Sequence, residues 1–232
     1  MGNELIETKE EWNLYGGQEL SAIKANHIFY ISADQYTTDF DYTAVLSSDE
    51  LAKADRFFQQ QDRHNYLLRK FALRQILSKF LQIPSADLRF HQQENKKPAI
   101  HHLQFNTSHT TNGITVAVSK SPVGIDIEYI NPLFEYNDLL LQCFSTAEAE
   151  FILTGADPLF NFYTLWTRKE AILKATGQGL VDHLPMINAF GAYFKWDDNN
   201  FKLKTLKKDN HIITTAYTSY SEELKLWDWN VV

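Results

Sequence analysis

Two carboxylates stand two residues apart in the run VGIDIEYI, Val123 to Ile130, which is otherwise apolar and rich in β-branched residues. Such a run reads as a strand, so Asp126 and Glu128 share one face while Ile125, Ile127 and Tyr129 share the other. Their carbons then lie roughly 6 to 7 Å apart, and mutual repulsion raises at least one pKa unless a cation sits between them. A hard divalent ion suits that role. The spacing alone is equally consistent with two solvent-facing acids on an edge strand.

Two further segments carry chemistry. In LWTRKEAILKATGQGL, helical spacing puts Trp166, Glu170 and Lys174 on one face. Glu170 precedes Lys174 in the order that favours an i,i+4 pair, so a plain surface salt bridge explains the pair as well as catalysis does. Gly177-Gln178-Gly179 either turns the backbone closely around a ligand or simply ends the helix. In FNTSHT, Ser108 and His109 are placed in a polar loop between strands, where both can donate to phosphate oxygens. A lone loop histidine is more often structural or merely exposed. No Gly-rich phosphate loop, zinc spacing or nucleophile elbow competes with these segments.

The elements that position these residues follow from periodicity. A strand is predicted near Ile28 to Ser32, and Ser47 with Glu50 forms a capping box opening a helix. A second helix covers YLLRKFALRQILSKFL and stops before Pro84. Short strands follow at DLRFHQ, HLQFN and GITVAVS, the last joined to VGIDIEYI through Ser119 to Pro122 as a hairpin. The second half repeats the plan: a capping box at Ser145 and Glu148, a helix over about residues 160 to 175, then four aromatic-rich strands, INAFGAYFKW, FKLKTL, HIITTAYTS and LKLWDWNVV. The expectation is an α+β fold of two similar halves, residues 1–121 and 122–232, meeting at a tight interface, with the two strand acids in the second.

Composition narrows the function. The 232 residues are 44% hydrophobic, enough for a substantial core, and no apolar run reaches transmembrane length. The start MGNELIETKEEW has neither the basic nor the apolar region of a signal peptide, so a cytoplasmic location is expected. Cys143 is the only cysteine, which excludes an internal disulfide and fits a buried small hydrophobe. The formal charge of −7 argues against nucleic acid and anionic membranes as partners. Lys53 to Lys97 nevertheless holds ten bases against four acids. A solvated helix face accounts for such a run, and so does a basic wall for a polyphosphate.

Taken together, Phe105 to His109, Val123 to Glu128 and Trp166 to Leu180 occur in the order and approximate spacing of the 4′-phosphopantetheinyl transferases of the surfactin-synthetase-activating type, which this chain resembles from about Ser47 to Leu180. The resemblance implies a monomer of two pseudo-twofold-related α+β subdomains with coenzyme A between them. It implies transfer of phosphopantetheine from coenzyme A to a serine of an acyl or peptidyl carrier protein, releasing 3′,5′-ADP. It assigns Asp126, Glu128 and Glu170 to Mg²⁺ and Lys174 to the pyrophosphate; a carboxylate at the metal edge can reach an incoming hydroxyl, so Glu170, directly or through metal-bound water, is expected to take the serine proton. Ser108, His109 and Lys97 resemble positions near the nucleotide phosphates; Lys53 and Arg56 match residues for the outer phosphate more loosely. The chain has Lys96-Lys97-Pro98 where relatives often have Gly-Lys-Pro, and Thr110 where they often have Ser. A Mg²⁺-dependent phosphodiesterase acting on coenzyme A, or a non-catalytic module binding coenzyme A or a carrier, is the alternative.

Overall fold

The computed structural model describes residues 5–6, 10–17, 20, 25–36, 40–92, 98–178, 184–218 and 223–230. Lys97 and Gly179, singled out above, lie outside them.

The first helix, α1 (Ser48–Ala54), begins with the anticipated box: Glu50 N–H donates to Ser47 Oγ, and the Glu50 carboxylate accepts from Ser47 N–H at 3.0 Å. The second, α2 (Gln60–Leu81), starts earlier than its apolar run and ends at Gln82, whose φ of 55° is left-handed, two residues before Pro84. Later come α3 (Asn137–Cys143), which no apolar periodicity announced, and α4 (Thr146–Thr154), capped by Ser145 and Glu148. Helix α5 (Pro158–Thr176) begins under an Asp157 cap with proline in its first turn, where the missing N–H costs nothing. It stops at Gly177 (φ 74°), as the glycine suggested.

One sheet has the order β1 (Asn13–Tyr15), β11 (Leu224–Trp229), β2 (Asn26–Ser32), β6 (Gly113–Ser119), β5 (Gln104–His109). The other runs β7 (Val123–Tyr129), β10 (His211–Thr218), β9 (Asn199–Lys208), β8 (Tyr193–Trp196) and is antiparallel throughout. A two-residue pair, β3 (His91–Gln92) with β4 (Pro98–Ala99), completes the strands. Thus DLRFHQ yields only two strand residues, and INAFGAYFKW only its last four, behind a 3₁₀ turn at Leu184–Met186.

Two expectations about neighbours are corrected. β6 and β7 do not form a hairpin. Both edges of β6 are already taken by β2 and β5, so the chain crosses at Pro122 and β7 starts the second sheet beside β10. The last strand, β11, grouped by sequence order with the second half, returns to the first sheet and lies parallel to β1 and β2. The first sheet is therefore mixed. Trp229 on β11 is buried in the first core, where its carbonyl accepts from Tyr36 Oη at 2.6 Å.

Helices α1 and α2 cover the first sheet and α3 to α5 the second, each enclosing its own apolar core. A third cluster, including Ile28, Ala117, Ile125, Ile127 and Ile213, fills the space between the two sheets. Cys143 is buried in the second core, as expected. Among the described residues no helix is long and apolar enough to cross a membrane.

Candidate active site

β5 and β7 are the facing edges of the two sheets, and side chains rather than a backbone ladder join them. Every second residue of FNTSHT takes part. Asn106 Oδ1 accepts from Ile125 N–H at 3.0 Å, Ser108 Oγ donates to Asp126 Oδ1 at 2.8 Å, and Thr110 Oγ1 accepts from Tyr129 N–H at 3.3 Å. The alternation of a strand puts all three on one face.

The other side of β7 receives α5. Gly124, Asp126 and Glu128 share the face toward that helix, and Gly124 sets how near it comes. A Cβ there would stand 2.1 Å from the Ala171 carbonyl oxygen and 2.4 Å from the Ala175 nitrogen. With nothing at 124, strand and helix meet in register. Two strand residues advance about 6.7 Å and four helix residues about 6.0 Å. Glu128, Asp126 and Gly124 all meet α5: Glu128 accepts from Trp166 Nε1 at 3.3 Å, Asp126 is reached by the long Lys174 side chain at 2.6 Å, and Gly124 lies under Ala171 and Ala175. Lys174 also donates to Ser108 at 2.9 Å. Glu170, between Trp166 and Lys174 on the same face, is held near enough to interact electrostatically with both strand acids.

The electrostatics are those of an acid cluster short of positive charge. Burial raises the Asp126 carboxyl above its ordinary range, although Lys174 and Ser108 pull it down. Burial, with Asp126 and Glu170 adding repulsion, pushes Glu128 up to about 7. Burial and then the Asp126 charge raise Glu170. Asp126 is buried, and among the described residues its Oδ2 has no hydrogen-bond partner. An orphaned buried carboxylate oxygen is costly and calls for a donor or a cation.

Among the described residues, no three Asp, Glu, His or Cys side chains converge as a finished metal cage. Lys174 supplies the positive charge at Asp126 instead. The chemistry of the donors still fits a hard ion: three carboxylates, one with a free buried oxygen, beside an open groove that leaves ligand positions for phosphate and water. That groove, about 460 Å³, is lined by Thr110, Glu128, Tyr129, Phe134, Tyr163 and Trp166 among others.

The remaining predicted residues lie on the first half's side of the seam. His109, on the opposite face of β5 from Ser108, meets the Arg69 guanidinium at 3.0 Å. Burial, then Arg69 and Lys174, push its imidazole down to about 4, so it is neutral at pH 7. Lys53 stands 5.6 Å over the Tyr66 ring, which Arg69 and Lys70 also approach. Arg56 is exposed just past α1, and among the described residues nothing ties it to the acids. Arg69 and Tyr66 were missed in the sequence. They belong to the helical pattern of α2, but only the fold reveals that this turn faces His109.

The residue types in the motifs divide between function and scaffold. Within TRKEA, Lys169 is fully buried and pairs with the equally buried Glu148 at 2.9 Å, so α4 and α5 are locked together and Glu170 is held in place.

Known proteins are similar in sequence. A family model described as the 4′-phosphopantetheinyl transferase superfamily matches residues 122–226, and one described as 4′-phosphopantetheinyl transferase, N-terminal, matches residues 35–121. The 4′-phosphopantetheinyl transferase HetI of Nostoc sp. is 34% identical over 217 residues, 88% of this chain and 92% of that protein. The 4′-phosphopantetheinyl transferase gsp of Aneurinibacillus migulanus is 32% identical over 196 residues, 82% and 76% of the two chains. The 4′-phosphopantetheinyl transferase Sfp of Bacillus subtilis is 32% identical over 144 residues, 60% and 63%.

Proposed function

Since the chain belongs to the 4′-phosphopantetheinyl transferase superfamily and is an enzyme of that kind acting on carrier proteins, we propose that it takes the phosphopantetheine group from coenzyme A, with Mg²⁺, and releases 3′,5′-ADP. The observation that carries this reading is the Asp126, Glu128 and Glu170 cluster between β7 and α5, with one buried oxygen that among the described residues has no hydrogen-bond partner, at a seam whose other wall holds Lys53, Arg69, Lys70 and His109. Acids on one side and bases on the other suit a metal-bridged pyrophosphate better than a neutral ligand.

In the reaction the carrier serine oxygen bonds to the phosphorus bearing pantetheine, and the bond from that phosphorus to the bridging oxygen breaks. Such transfers depend on alignment and charge neutralisation more than on covalent help. Asp126, Glu128 and Glu170 would hold Mg²⁺, which when bound supplies charge neutralisation for the pyrophosphate. Lys174, now on Asp126, pairs with oxygens of the pyrophosphate linkage, whose bridging oxygen departs on the 5′-phosphate of 3′,5′-ADP. His109 and Lys53 bind the nucleotide end, and neutral His109 donates one N–H there. Glu170, whose carboxyl burial has made more basic, takes the serine proton. Lys97 is proposed for the same phosphates from the 93–97 stretch, and Arg56 as an outer contact. The reading takes the enzyme to be a cytoplasmic monomer.

The test is mass spectrometry of an apo-carrier protein incubated with the enzyme, coenzyme A and Mg²⁺. One added phosphopantetheinyl group is expected, with Asp126→Ala inactive but folded. Free phosphopantetheine with an unmodified carrier would replace this reading with the phosphodiesterase.

A further inference from the structure

Helix α5 buries two consecutive cations, and among the described residues only one has a carboxylate partner. Lys169 pairs with Glu148, and both are fully buried. Arg168, 2% exposed, meets only neutral oxygens: Nε donates to the Ala189 carbonyl at 2.5 Å, Nη1 to Thr205 Oγ1 at 3.0 Å, and Nη2 to the Gly191 carbonyl. These contacts use three of the five N–H bonds of a guanidinium. Among the described residues no carboxylate pairs with it. Burial alone lowers its pKa, to about 10, with no neighbouring anion to oppose the shift. A buried charge without a counter-charge is strongly disfavoured, and a protein that retains one gains from any anion able to reach it.

An approach to Arg168 exists. It lines a cavity of about 820 Å³ between α4, β9 and the loop around Phe190, on the far side of α5 from the acids. Phe151, Phe190 and Leu203 make apolar walls. Lys202 and Lys204 add positive charge at the rim, with Lys204 held by Glu10, and Glu150 is the rim's acid. The combination of a cationic floor, hydrocarbon walls and a volume within the range of small-molecule sites selects one ligand class. We propose that this cavity binds a small amphipathic carboxylate, its head beside Arg168 and its hydrocarbon body between Phe151, Phe190 and Leu203.

The experiment uses the full chain, with sodium octanoate as the probe and octan-1-ol as its neutral counterpart, read by thermal unfolding and by calorimetric titration. At a tenfold excess over its Kd, octanoate should raise Tm by about 3–5 °C, and octanol by far less. Ala192→Trp, at an exposed position on the cavity mouth, should abolish the octanoate shift. Arg168→Met should reduce the octanoate response to that of octanol. Should Arg168→Met fail to fold, the acid-against-alcohol comparison in wild type and the Ala192→Trp block still decide the matter. No shift with octanoate, an equal shift with octanol, or a shift that survives Ala192→Trp would each overturn the proposal.

Discussion

Replacing Gly124 with alanine adds one methyl group at the point where β7 and α5 come closest. That carbon would stand 2.1 Å from the Ala171 oxygen, 2.4 Å from the Ala175 nitrogen and 2.9 Å from the Ala175 Cα. A relaxed carbon-to-oxygen contact is about 3.3 Å, so the helix must withdraw by about 1 Å. All three contacts are backbone atoms, and no truncated side chain on α5 can make the room. Glu170 and Lys174 are carried on the retreating helix while Asp126 and Glu128 stay on the strand. A displacement of about 1 Å at a catalytic constellation costs on the order of 100-fold in rate. Overpacking of this kind destabilises by about 1–3 kcal/mol, a Tm lower by roughly 2–10 °C for a chain of this size. Carrier labelling from coenzyme A gives the rate and circular dichroism the Tm. Gly16→Ala is the control, since nothing lies within 4 Å of its added carbon. If Gly124→Ala labelled carriers at the wild-type rate, the close approach would not be what aligns the acids.

Other perturbations test the charges. Glu128 ordinarily ionises at 4.5 and is pushed up to about 7 in the folded chain, which therefore holds an extra proton between those values. Stability should fall as pH rises from 4.5 to 7 and stay lower above 7, by at most about 3 kcal/mol. Glu128→Gln should flatten that profile in urea titrations at pH 5 and 8, and an unchanged slope would place the proton elsewhere. Adding Mg²⁺ at pH 8 should raise the wild-type Tm, an effect that Asp126→Asn loses; equal shifts in both would disconnect Asp126 from the ion. Lys174→Ala should weaken coenzyme A binding about tenfold or more by calorimetry, and unaltered affinity would leave Lys174 a structural tie to Asp126 and Ser108. Arg69→Gln removes a cation from the imidazole of His109, so its NMR titration midpoint should move up from about 4 toward 6.5; a fixed midpoint would show that Arg69 takes no part in depressing it.

How much of this was readable from residues alone depends on the range of the interaction. Both capping boxes, the glycine end of α5 and the shared face of Asp126 and Glu128 are local, set within a few residues by hydrogen bonding and periodicity. The strand and helix patterns fixed which face each acid takes, but that Glu170 joins Asp126 and Glu128 was implied only by the family resemblance. Pairing partners were not. A period of two shows which face a residue takes but never which strand lies alongside, so β6 and β7 looked like a hairpin although Pro122 separates two sheets. Nor did any periodicity reveal that Asn106, Ser108 and Thr110 join two sheet edges, because that role exists only once the edges meet. Arg69 was hidden for a similar reason: one base among ten, distinguished only by the turn of α2 that faces His109.

The position of β11 between β1 and β2 has a consequence for how the molecule is made. The first sheet lacks an interior strand until residues 224–229 have been synthesised. Translation from the end of β6 to the end of β11 takes roughly 5–20 s at ordinary elongation rates. Throughout that interval β2 presents an unsatisfied apolar edge while still tethered to the ribosome. The nascent first half is therefore a natural client for holding chaperones, and a fragment ending at residue 121 should be recovered as aggregate rather than as an autonomous domain.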